Sequence, residues 1–202
     1  LDNVKIRYSG LNDSKAYVVG IDTRINGEFV PGAESWVNLS ILSARERLLG
    51  VDHQVFKNRE RVSSKYVPRP TDQLVFLNLF FQDYFPRNEN FKAHFLLAFG
   101  SGIAYGIEGN NTIIRNPFRY APYRRIDIGF SYRLWQEDWI GKKPKNIFRW
   151  TKNSWISLEA FNLLGIENVA STTWIKSIYN VSYGIPNRLT SRRFNLRLRV
   201  EF

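Results

Sequence analysis

The chain contains no cysteine and no methionine among its 202 residues. Without cysteine there is no disulfide framework and no thiolate-ligated metal or haem site. That absence leaves the compartment open, because export does not require disulfides. Without methionine there is no initiator, and the opening "LDNVKIRYSG" lacks the apolar core of a signal peptide. The chain therefore reads as a mature or truncated piece of something longer. Long apolar runs are missing too. The densest, "LVFLNLFF", falls far short of the roughly 20 residues a membrane helix needs. A helical membrane protein is excluded, but a β-barrel is not, since its lipid-facing residues alternate with lumen residues and keep mean hydropathy low.

Catalytic signals are equally sparse. No "GxSxG" elbow and no paired-carboxylate motif occurs. "FGSGIAYG" is similar to a dinucleotide loop, but its third glycine comes one position late, and no helix pattern follows. His53 and His94 are far apart in the sequence and lack ligand-spaced carboxylates, so both read as structural. We expect no enzymatic activity, no cofactor and no metal.

What is present is strand material. Hydrophobic residues make up 44% of the chain, which argues against general disorder, and 15 Phe, 10 Tyr and 6 Trp favour strands. The net charge of +11 raises the possibility of a nucleic-acid partner. Its distribution argues against one, because much of the Arg and Lys is interleaved with apolar residues. The basic segment "RERLLGVDHQVFKNRER" reads as a solvated loop, with a possible helical turn in "LSARERLLGVDHQVF".

Period-two alternation recurs along the chain. Tyr17, Val19, Ile21, Thr23 and Ile25 share one face, and Val37, Leu39 and Ile41 follow the same rule. So do Val75, Leu77, Leu79 and Phe81, although Phe80 breaks the pattern by falling among polar neighbours. Phe91 to Phe99 alternate with Lys92 and His94, and Ile126 to Leu134 alternate with Arg125, Asp127, Ser131 and Arg133. Ile156, Leu158 and Ala160 oppose Ser157 and Glu159. The ending "RRFNLRLRVEF" is the most regular: Phe194, Leu196, Leu198, Val200 and Phe202 on one side, Arg193, Asn195, Arg197, Arg199 and Glu201 on the other. With "VKIRY" as an opening strand, this predicts an all-β antiparallel meander of about eight strands.

The connections alternate in length. "VPGAE" and "PRNEN" are tight turns, whereas residues 45–72, 103–122 and 166–190 are long polar loops. "QEDWIGKKPKNIFRWTKN" is the exception, a long link where a short turn is due. Two architectures share such a pattern. One is a soluble sandwich, apolar inside and polar outside. The other is a transmembrane barrel, favoured by alternations of about ten residues, by Arg and Asp in mid-strand, and by long loops gathered mostly at one end. Trp36, Tyr84, Phe85, Trp135 and Trp155, near strand ends, would form interfacial girdles in a barrel.

Several stretches, in order, resemble the C-terminal barrel region of TonB-dependent outer-membrane receptors. They are "GIDTRINGEFVPGAESWVNLSI", "YVPRPTDQ", "FFQDYFP", "YRRIDIGFS", "WISLEAFNLLGIEN" and "SRRFNLRLRVEF". The resemblance implies that residues 1–202 are roughly the last third of a 22-stranded barrel in the bacterial outer membrane, with the plug domain and N-terminal strands absent. It implies a lipid-facing terminal strand that doubles as an assembly signal: Phe194, Leu196, Leu198, Val200 and Phe202. Arg125, Asp127, Arg133, Glu159, Arg193, Asn195, Arg197 and Arg199 would face the lumen. The implied partners are outer-membrane lipid, the rest of the receptor, TonB through the missing N-terminal part, the outer-membrane assembly machinery and a small ligand. That ligand is an iron chelate, cobalamin, a glycan or a peptide. The implied activity is nutrient import with TonB-derived energy. Closure of these strands into a small barrel of their own is the alternative, and a sandwich without transport is another.

Overall fold

The computed structural model describes residues 10–31, 33–106, 113–139, 141–143 and 145–202. "VKIRY" lies outside the described residues. The chain is all-β. Seven long strands lie side by side in chain order: β1 (Ser14–Val30), β2 (Ala33–Leu48), β3 (Val75–Phe85), β4 (Asn88–Gly100), β5 (Tyr123–Gln136), β6 (Asn153–Phe161) and β7 (Arg193–Glu201). Every neighbouring pair is antiparallel. Val67–Pro68 adds a two-residue strand against β2. Among the described residues the sheet is open, with β1 and β7 at its edges.

Alternation accounts for the seven strands, because residues two apart share a face. Trp36, Asn38 and Ser40 stand opposite Phe80, Asn78 and Phe76. Asn78, Phe80 and Gln82 in turn face Ala98, Leu96 and His94. The same face continues through Arg125, Asp127, Gly129 and Ser131 to Ser157 and Glu159, and then to Arg197 and Asn195. One polar face therefore runs across the sheet, and one apolar face lies behind it. Phe80 finds its place on the polar face by stacking on Trp36 at 5.8 Å.

The burial of the two faces is inverted relative to a water-soluble sheet. At the sheet centre, Asp127, Ser131, Ser157 and Glu159 are buried, whereas Phe130, Tyr132 and Leu158 on the reverse side are exposed. On the edges, Val19 and Ile21 are 62% and 69% exposed, and Phe194, Leu196 and Leu198 are 71%, 68% and 55% exposed.

Pro86 and Arg87 make the tight β3–β4 turn, with Arg87 at a φ of 63°, the left-handed position that a type II turn places after proline. The other end carries the long connections 49–74, 101–122 and 162–192. They carry more regular structure than the long polar loops expected. β2 continues as strand to Leu48 because β1 is long enough to template it, Ser14 pairing with Leu48, so the expected helical turn does not form. Each connection also has a short hairpin of its own: Gln54–Lys57 with Glu60–Ser63, Ala104–Tyr105 with Phe118–Arg119, and Val169–Lys176 with Ser182–Arg188.

The aromatic girdle is placed differently from the sequence expectation. Trp36, Tyr84 and Trp155 belong to the polar face, since their cross-strand partners are Phe80, Lys92, Arg133 and Arg199. Trp135 is fully buried. Of the five candidates only Phe85 joins an exposed apolar-face cluster, edge-on to Phe91 at 4.5 Å, with Phe130 and Tyr132 6.0 and 6.5 Å from Phe91. A bulge between Arg133 and Trp135 breaks the register and sets Trp135 opposite Ser154. There its indole Nε1 donates to the Thr151 carbonyl at 2.8 Å, and the Thr151 and Ser154 hydroxyls bond each other. Trp135 thus pins the long 137–152 link to the sheet, together with Asn146, whose Nδ2 donates to the Leu134 carbonyl at 3.0 Å. Trp135→Ala should lower stability by about 3–5 kcal/mol, read as a drop in the urea midpoint of the folded protein. Trp150→Ala, at a 64% exposed position of the same link, should cost much less.

Candidate functional site

The polar face carries its chemistry in three adjacent rows, two crossing β4, β5, β6 and β7 and the third crossing β5, β6 and β7. The first row is His94, Gly129, Glu159 and Asn195. Gly129 leaves room for the His94 ring lying over it, since a Cβ would sit 2.2 Å from that ring and displace it. Glu159 is only 5% exposed and is held by its neighbours. Arg197 Nη2 donates to its Oε1 at 2.5 Å and Asn195 Nδ2 to its Oε2 at 2.8 Å, while His94 Nε2 stands 3.9 Å from Oε1. A carboxylate this buried persists because it is charge-paired and hydrogen-bonded.

The second row is Lys92, Ser131, Ser157 and Arg197. The two serine hydroxyls are buried and 2.8 Å apart, a small polar floor between two long cations. The third row sets Arg133 and Arg199 on either side of Trp155. The Arg133 guanidinium lies 4.6 Å and the Lys92 ammonium 5.2 Å from the Trp155 ring. Cations so placed are attracted to the ring face. Arg199 pairs with Glu201. A hollow of about 510 Å³ opens over these rows.

A second polar cluster lies toward the long loops. Arg125 grips Asp127 through Nε and Nη2, at 2.8–3.0 Å. Asp127 Oδ1 also accepts the Asn162 backbone N–H at 2.8 Å. Asn162 sits at a φ of 51°, and its amide bonds Ile166 on both sides, N–H and carbonyl. Asn168 clamps Arg124 in the manner of a strand, accepting its N–H at 2.9 Å and donating to its carbonyl at 2.8 Å. Farther along, buried Asp72 accepts the Ala44 N–H at 2.6 Å and pairs with Arg119, whose Nη1 also reaches the Asp72 and Gly102 carbonyls.

The expected lumen residues therefore separate into two groups. Glu159, Asn195, Arg197, Arg133 and Arg199 come together near the tight-turn end, and Arg125 and Asp127 form the pair near the loops. Arg133 contacts Trp155 and Gln136 and makes no pair with Asp127. Arg193 stands opposite Phe161, beyond the Glu159 cluster. Phe194, Leu196, Leu198 and Val200 line the reverse face, and Phe202, past the end of β7, packs at 5.1 Å from Trp150. Sequence reasoning missed Ser131, Ser157 and Trp155 as parts of one arrangement, along with Asp72, Asn162 and Asn168. The alternation put Ser131 and Ser157 on the polar side, but only register brings them together.

Chemically the arrangement offers fixed positive charge, hydroxyls and one aromatic plane. Among the described residues no group of three or more His, Asp or Glu side chains is placed to hold a metal ion. No protein family, curated protein or solved structure matches the chain.

Asp127 is the test of the second cluster. Asp127→Ala leaves Arg125 unpaired and the Asn162 N–H without its acceptor, and should cost about 2–4 kcal/mol. Arg188→Ala breaks an exposed pair with Glu167 and should cost less than about 1 kcal/mol. Urea midpoints of the two variants compare them directly.

Proposed function

We propose that this sheet is a section of the wall of a β-barrel in the bacterial outer membrane, part of a TonB-dependent receptor that binds a small nutrient and imports it. The observation that carries the reading is the inversion of the two faces. Charged and hydroxylated side chains fill the enclosed face while Phe, Leu, Ile and Val line the open one. In water, an apolar face of this extent is strongly unfavourable. In lipid it is the surface a barrel needs, and the polar face then borders the lumen. A sandwich requires the opposite, an apolar face buried against a second sheet.

Two further features support the membrane reading. The seven strands run from 9 to 17 residues, against the roughly 9–11 that cross a bilayer at a tilt. Exposed Phe85, Phe130 and Tyr132 cluster around half-buried Phe91 near the tight-turn end of the apolar face, where an interfacial girdle belongs. Partnership with the rest of a receptor follows from the edges. Unpaired backbone groups cost several kcal/mol each in hydrocarbon, so β1 and β7 must both be covered. Seven antiparallel strands leave β1 and β7 pointing the same way, so direct β1–β7 pairing would be parallel. An all-antiparallel ring needs an odd number of additional strands. The receptor assignment itself, with its plug, TonB, assembly machinery and nutrient, rests on the ordered motifs, of which "YRRIDIGFS" and "WISLEAFNLLGIEN" meet at Asp127–Asn162 and Arg124–Asn168.

The proposal is tested by facing. Leu198→Arg places a charge in mid-bilayer at about 2–4 kcal/mol and should reduce the heat-modifiable, detergent-extracted form in gels. Arg199→Ser, one residue away on the other face, should assemble nearly as well as the parent. Equal damage from both, or a protein that stays in buffer without detergent, contradicts the membrane reading.

A further inference from the structure

The hollow over the second and third rows has the features of an anion seat. We infer that it binds a small oxyanion, a phosphate or carboxylate group, between Lys92 and Arg197 over the Ser131–Ser157 floor. Charge supplies the first argument. Three cations line it, Lys92, Arg197 and Arg199, with Arg133 beside them against Trp155, and two carboxylates, Glu159 and Glu201, balance Arg197 and Arg199. Lys92 and Arg133 are turned toward the Trp155 plane instead, and an aromatic face attracts a cation without neutralising it.

Donor geometry supplies the second. Arg197 spends one N–H on Glu159 and remains 58% exposed at its side chain, with further donors free for an incoming oxygen. The ammonium of Lys92 has three donors. The serines sit in the row between these two cations, their hydroxyls able to turn outward from the bond they share. Strand spacing of about 4.8 Å separates Lys92 from Arg197 by three steps, a span two long side chains close over a small anion and not over a flat surface. The hollow, at about 510 Å³, admits a small molecule or one anionic group of a larger ligand. Charge-assisted hydrogen bonds of this type are the strong class. The inference uses only the geometry of the polar face and holds whether or not that face borders a membrane lumen.

The test is calorimetric titration of the protein purified in detergent as it assembles in the cell, with inorganic phosphate and with succinate at constant ionic strength set by chloride. Saturable binding of at least one of them is expected, weakened about tenfold by Lys92→Gln and by Arg197→Gln. Arg24→Gln, on β1 of the same face, should leave it unchanged. If Arg197→Gln fails to fold because Glu159 loses its partner, Lys92→Gln and the Ser131→Ala/Ser157→Ala double variant decide the question. No saturable heat with either anion, or equal loss with Arg24→Gln, overturns the inference. Heat-modifiable mobility of the same samples reports the barrel reading separately, so the two can fail independently.

Discussion

The antiparallel ladder from β1 to β7 is the constraint on which everything else depends. Side chains alternate with a period of two, so a slip of one residue in any pair moves a whole strand's apolar set to the other face. The ladder holds that phase from edge to edge. Its three irregularities, at Glu28/Val30, Tyr84/Phe85 and Arg133/Trp135, all fall at the tight-turn end. The central span, where Asp127, Ser131, Ser157 and Glu159 are lined up against Phe130, Tyr132 and Leu158, is left uninterrupted. Bulges are tolerated where pairing ends or a side chain must be re-aimed, and Trp135, swung under the 137–152 link, is an instance of the second.

The polar networks are consequences of that phase. Once Glu159 is committed to the enclosed face it must be satisfied there, and register brings Asn195 and Arg197 to it from β7. Once Asp127 is committed, Arg125 and the Asn162 N–H complete it, which ties the turn after β6 to the middle of β5. Asp72 and Arg119 do the same for the two earlier loops, joining residues 47 apart in the chain. The long connections are thus anchored to the sheet by buried, paired carboxylates as well as by packing such as that of Tyr66 on Tyr17.

Much of this fold was legible in the sequence, because alternation is a local signal. Seven of the expected strands form as a meander with the expected sides together, and Phe80, the exception in its strand's alternation, is received on the polar face by Trp36. Most of the failures are non-local. Nothing in "SARERL" distinguishes a strand continued to Leu48 from a helical turn, since the deciding factor is the length of β1 opposite. Trp36, Tyr84 and Trp155 have the composition of girdle residues, but their parity, which sets Tyr84 beside Asn78 and Gln82 already in the sequence, puts them on the polar face. Of the candidate site, the charged residues were readable one strand at a time. Their grouping around Trp155 and the serine pair was not, since cross-strand register is fixed by partners far away in the chain.

The central claim is that the apolar face meets lipid and the polar face meets water. The absence of cysteine from the native chain makes it directly measurable. Single cysteines placed in turn at positions 194 to 201 and spin-labelled in lipid bilayers report their accessibility to oxygen, which partitions into lipid, and to a water-soluble nickel complex. High oxygen accessibility at 194, 196, 198 and 200, alternating with high nickel accessibility at 195, 197, 199 and 201, is the expected result. A profile without period two, or one with the two sets exchanged, would contradict the account.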